Sequence, residues 1–121
     1  MKPLSANKLQ EFLNRFDNFQ NGEFRSLELI SPIQIEAVFA LQDSARGFDW
    51  LTIKLQFNSV NDAVLLDGSK LSLVDMEEGI SLLYQDNNFH FSLGDYKTTS
   101  NMKNSNCYIF SPDIKYEEGS F

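Results

Sequence analysis

Only one cysteine, Cys107, and one histidine, His90, occur in 121 residues. A lone cysteine excludes an internal disulfide and gives no sign of an oxidising compartment. A metal site usually needs several converging His, Cys or carboxylate ligands, and these two residues cannot supply them. The six glycines are scattered. No GxGxxG and no GxxxxGK followed by Ser or Thr is present, so no glycine-rich phosphate cradle is expected. HExxH, CxxC and GxSxG are also missing, which makes an enzyme the least favoured class. No apolar run exceeds a few residues, which excludes a spanning helix. The opening "MKPLSANKLQ" lacks the apolar stretch of a secretory signal, so a cytoplasmic protein is expected. Basic residues are scarce, 10 Lys and Arg against 17 Asp and Glu, for a net charge of −7. That balance argues against nucleic acid and against anionic membranes. It permits a basic protein partner through steering, and also serves solubility alone.

Phenylalanine is plentiful: eleven residues, within a hydrophobic content of 42%. Each buried ring removes a large apolar area from water. A chain of this length forms one domain, residues 1–121, with a single core. "SANKLQEFLNRFDNFQNG" reads as an amphipathic helix. Leu9, Phe12, Leu13, Phe16 and Phe19 form its apolar stripe. Ser5 is a candidate N-cap and Gly22 a candidate stop. Glu11 and Arg15 are four apart on the outer face and form a weak pair.

From residue 23 the period changes to two. "EFRSLELI" places Leu27 and Leu29 inward. Ile33, Ile35, Ala37, Phe39 and Leu41 alternate in the next strand, and Leu51, Ile53, Leu55 and Phe57 in the one after. "DSARGFD" joins these two as a hairpin loop. Residues 80–85 and 89–93 form a second hairpin, since Asn and Asp tolerate the tight turn between them. A short strand spans 64–66, followed by a turn at Asp67-Gly68 and a further short strand or helical turn. "GDYKTTSNMKNSN" reads as a mobile polar loop, and "NCYIFSPDIKY" as a last strand interrupted at Pro112. The fold class is α+β, an N-terminal amphipathic helix packed on a meandering antiparallel sheet.

"SLVDMEEGISLLYQDNNFHF" gathers Asp75, Glu77, Glu78, Asp86 and His90 within twenty residues. Neither "DMEEG" nor "DNNFHF" matches a calcium loop, which needs alternating acids around a central glycine. His90 alternates with Phe89 and Phe91, which puts it on the solvated face. What remains is a charge asymmetry. Residues 55–96 hold Asp62, Asp67, Asp75, Glu77, Glu78, Asp86 and Asp95 against Lys70 alone, or −6 of the −7. A local field of one sign steers cationic partners. Cys107 has no basic neighbour to activate it and reads as a buried thiol. Trp50 fits either a strand-end core position or a rim anchor for a partner.

"LTIKLQFNSVNDAVLLDG", about a seventh of the chain, resembles a stretch found in several families of small bacterial proteins. These include immunity proteins that neutralise polymorphic or contact-delivered toxins. The resemblance implies a non-catalytic inhibitor that masks a basic, nuclease-like toxin with an acidic face. It carries over no individual functional residue. The candidate partner-binding set is Asp62, Asp67, Asp75, Glu77, Glu78, Asp86 and Trp50, with no cofactor and no metal. The protein is expected as a monomer or homodimer. The alternative is a small-molecule shell with an aromatic-lined cavity between helix and sheet. A third possibility is an enzyme using His90 with a nearby carboxylate.

Overall fold

The computed structural model describes residues 1–121 and shows a mostly β, α+β fold with two antiparallel sheets. The strands are β1 (Lys2–Pro3), β2 (Glu23–Ser31), β3 (Gln34–Asp43), β4 (Asp49–Asn58), β5 (Asp62–Val64), β6 (Ile80–Gln85), β7 (Asn88–Leu93), β8 (Tyr108–Ser111) and β9 (Asp113–Ser120). The helices are α1 (Leu9–Arg15) and α2 (Thr99–Met102). Five strands pair in the order β1-β9-β4-β3-β2, and four in the order β5-β8-β7-β6.

The expected single sheet is thus two. Pro112 marks the passage between them, because β8 pairs with β5 and β7 while β9 pairs with β4 and β1. Proline donates no ladder hydrogen bond, so it suits a corner rather than a strand interior. Ser111 secures the corner, its hydroxyl donating to the carbonyls of Asn58 (2.6 Å) and Asp113 (2.8 Å). The inner faces of the sheets meet through Phe91, whose ring lies 5.2 Å from Phe57 and 6.3 Å from Phe39.

The helix covers the remaining inner surface of the larger sheet. Phe19 packs on Phe39 with ring centroids 5.0 Å apart, and Phe12 packs on Tyr116 at the same distance. α1 is shorter than the stripe predicted. After Arg15 the backbone turns left-handed at Asp17, Asn18 and Phe19, with φ between 52° and 64°. Asp and Asn tolerate that region, and complete burial of Phe19 offsets its strain. Gly22 therefore does not stop the helix; it lies where an added Cβ would sit 2.8 Å from the Ala40 carbonyl oxygen. Ser5 precedes the first helical turn, but its hydroxyl makes no capping bond.

The two hairpins form as expected. Gly47 (φ 64°) turns the chain between β3 and β4, and Asp86 and Asn87 (φ 56° and 60°) turn it between β6 and β7. Two apolar residues depart from their expected places. Ile33 lies in the turn between β2 and β3 and is exposed. Leu29 shares the inward face with Ile35, but it lies at the end of an edge strand and is 59% exposed. The polar stretch 94–106 is also not a loose loop. Thr98 caps α2 by accepting from the Asn101 amide, and α2 carries Met102 fully buried against Tyr108 and Phe110.

Candidate functional site

Asp75, Glu77 and Glu78 stand on one tight turn. The Asp75 carboxylate accepts the Glu77 amide at 2.8 Å. Met76 anchors the turn to the end of the helical region, because its carbonyl accepts the Asn21 amide at 2.8 Å and its side chain is buried. Gly79 closes the turn with φ 68°, and a Cβ there would lie 2.0 Å from the Asn18 carbonyl oxygen. Only glycine permits both the conformation and the close approach. The acidic turn is therefore pinned to the Asn18–Asn21 segment.

The three carboxylates, with Asp95, Gln20 and Gly94, line an open concavity of about 500 Å³ that has no apolar side chain. Asp95 pairs with Lys97 at 3.0 Å, but no lysine or arginine lies within ion-pair distance of Asp75, Glu77 or Glu78.

The other acidic candidates lie outside this concavity. Asp62 pairs with Lys103 (3.2 Å) and accepts from the Tyr108 hydroxyl (3.4 Å). Asp67 caps the helical turn Gly68–Leu73, accepting the Ser69 amide and hydroxyl at 3.0 Å; these bonds hold its pKa below the usual carboxylate range. Asp86 occupies the β6–β7 turn. Trp50 is not in the core. It lies on the outer face of the larger sheet, 38% exposed, with its ring 5.5 Å from Phe121. The reason is strand phase: Leu51 points inward, so its neighbour points out.

His90 is a second correction, because it is only 9% exposed. It does lie on the face opposite Phe89 and Phe91, but α2 and the Tyr108–Phe110 cluster cover that face. Its ring meets the edge of Phe110 at 4.4 Å, and Nδ1 has no hydrogen-bond partner. Burial lowers its pKa. Cys107 is buried as expected, and desolvation pushes its thiol up to about 11. No group of three or more His, Cys, Asp or Glu side chains converges in metal-binding geometry.

One polar cluster lies outside every expectation. Arg15 grips Asp43 with two hydrogen bonds, 2.9 Å from Nε and 2.6 Å from Nη2, and reaches Glu118 at 2.6 Å. Arg15 is thus not paired with Glu11, whose partner is Lys8 at 3.8 Å. Asp43 continues the inward phase of Ile35, Ala37, Phe39 and Leu41 and is fully buried. A charged residue in that phase was the available signal. Arg15 ties α1 to β9 and to the β3–β4 turn.

Phe12, Phe16 and Phe19 pack on one another with centroids 5.3 to 6.1 Å apart. The sizeable concavity beside α1 opens at the surface and shows only Phe12 and Tyr116 among the aromatic residues.

Fold and surface define a two-sheet α+β protein that displays an acidic turn whose three carboxylates have no ion-pair partner. No protein-family model, no curated protein and no solved structure matches the chain. No helix is long and apolar enough to cross a membrane.

Proposed function

We propose that this protein is a non-catalytic binding module of a bacterial cytoplasm that receives a basic protein partner on its acidic turn, in the manner of an immunity-type inhibitor. One observation carries the reading. Asp75, Glu77 and Glu78 are held on a turn pinned through Met76 and Gly79, with no lysine or arginine within ion-pair distance. Unpaired like charges raise the local potential, speed encounter with a cationic surface and disfavour anionic competitors. A pinned turn reduces the ordering cost of association. Asp62 and Asp67 contribute to the field, but their side chains also serve local structure. Trp50 and Phe121 form a separate exposed aromatic pair on the outer sheet face.

The test is native mass spectrometry at low salt on protein purified from its own host, beside the triple variant Asp75→Lys, Glu77→Lys, Glu78→Lys. A co-purifying basic protein that is lost both in the variant and at high salt supports the reading. A complex that survives the triple reversal sinks it.

A further inference from the structure

We propose that the concavity between β1, α1 and β9 binds a small organic anion, with its apolar body against Phe12 and Tyr116 and its charged group facing Lys2 and Lys8. The site uses none of the residues of the acidic turn and stands independently of that reading.

Its volume is about 710 Å³, within the usual range for small-molecule sites. β1 forms one wall, paired to β9 through Lys2 and Tyr116. Lys8, just before α1, and Phe12 and Arg15 of α1 form another. In a chain of net charge −7 this surface presents two lysines against one carboxylate, Glu11, with Arg15 beside them already paired.

Arg15 contributes little free charge, because Asp43 and Glu118 neutralise it. The available cations are the two lysines. Lys2 has no ion-pair partner, and the Lys8–Glu11 pair is long and exposed. The Ser5 and Tyr116 hydroxyls make no hydrogen bond within the protein, and neither does Nη1 of Arg15. The two lysines and Nη1 of Arg15 are donors only, while the two hydroxyls can donate or accept. That arrangement selects a ligand that brings acceptors and negative charge, such as a carboxylate or sulfonate. The half-buried Tyr116 ring, packed 5.0 Å from the almost fully buried Phe12, offers most of the apolar wall, which favours an aromatic or alkyl body over a bare inorganic ion.

The probe is 8-anilinonaphthalene-1-sulfonate, an aromatic anion, titrated into the full folded chain and followed by its fluorescence and by backbone amide shifts. Neutral N-phenyl-1-naphthylamine is the comparison. Saturable binding is expected, with shifts concentrated at residues 2–15, 44–45 and 116. The double variant Lys2→Gln, Lys8→Gln should lose about fivefold or more in affinity, from two weakened charge-assisted contacts. Its melting temperature should not move, because both side chains are exposed. The proposal is overturned if shifts fall elsewhere or are absent. It is equally overturned if the double variant binds with less than about a fivefold loss, or if the neutral amine binds as tightly as the anion.

Discussion

Replacing Arg15 with methionine should destabilise the protein by about 2–3 kcal/mol at pH 7. Stripping one partner from a buried ion pair costs about 3–5 kcal/mol, because the remaining charge stays desolvated. Asp43 is that remaining charge, and its side chain has no exposed surface. Two features reduce the figure. The Ala45 amide still donates to Asp43 at 2.9 Å, and Arg46 lies 3.6 Å away. The Arg15 side chain is itself 26% exposed, so its own desolvation is partial. Methionine keeps most of the stem packing on Phe16, over whose ring the guanidinium lies at 4.7 Å. For a chain of this size each kcal/mol moves Tm by about 4 °C, so a fall of about 8–12 °C is expected.

pH gives the sharper test. The Arg15 guanidinium, chiefly through its hydrogen bonds, holds the Asp43 carboxyl below the usual range. A lowered folded pKa means stability that is present above the unfolded value of about 3.9 and lost as pH falls through the folded one. Without Arg15, burial pushes Asp43 upward, and acid then relieves the buried charge. The stability gap between the two proteins should therefore narrow as pH falls from 7 to about 3. Urea denaturation at both pH values measures it. A gap below about 1 kcal/mol at pH 7, or an equal gap at pH 3, would refute the reasoning.

Gly79→Ala should lower stability by about 3 kcal/mol or more, since it adds left-handed strain to a Cβ clash with the Asn18 carbonyl; unchanged thermal unfolding would show that the acidic turn is not pinned there. His90 should titrate below its ordinary value of about 6.5, as followed by NMR of its ring protons. Because its folded pKa is lowered, stability should fall as pH drops from about 6.5 toward the folded value; a midpoint at or above the ordinary value would contradict its burial. Reversal of Glu77 and Glu78 alone, which keeps the Asp75 carboxylate that accepts the Glu77 amide, should leave urea stability within about 0.5 kcal/mol, since exposed charges contribute little to folding; a large loss would mean that those two side chains serve the fold.

Much of the local structure was legible in the sequence. The phase of Ile35 to Leu41 and of Leu51 to Phe57 set which face of each strand is dry, because side chains alternate with period two whatever the partner. "DNN" declared a turn, because Asp86 and Asn87 tolerate a left-handed backbone. The acidic turn was legible as a run of carboxylates in "DMEEG".

Periodicity says which face is dry but not what covers it. Phe89 and Phe91 were correctly placed inward, yet the opposite face is also covered, so His90 was placed in solvent when Met102 and Phe110 bury that side. Pro112 read as an interruption, and only the pairing of β8 and β9 with different partners shows that it divides two sheets. Arg15 has an acid four residues before it in sequence, but its partners are 28 and 103 residues away.

By itself the sequence determined strand phase, turn positions, the helix stripe and the sign of the net charge. These depend on residues within a few positions of one another, where backbone sterics and side-chain period act. Only the tertiary structure decided that there are two sheets, that His90 is buried, and that Arg15 bridges three segments. It also decided that four of the seven carboxylates, Asp75, Glu77, Glu78 and Asp95, converge while Asp62 meets Lys103. Those outcomes depend on contacts between residues far apart in the chain, and a local pattern carries no record of the partner.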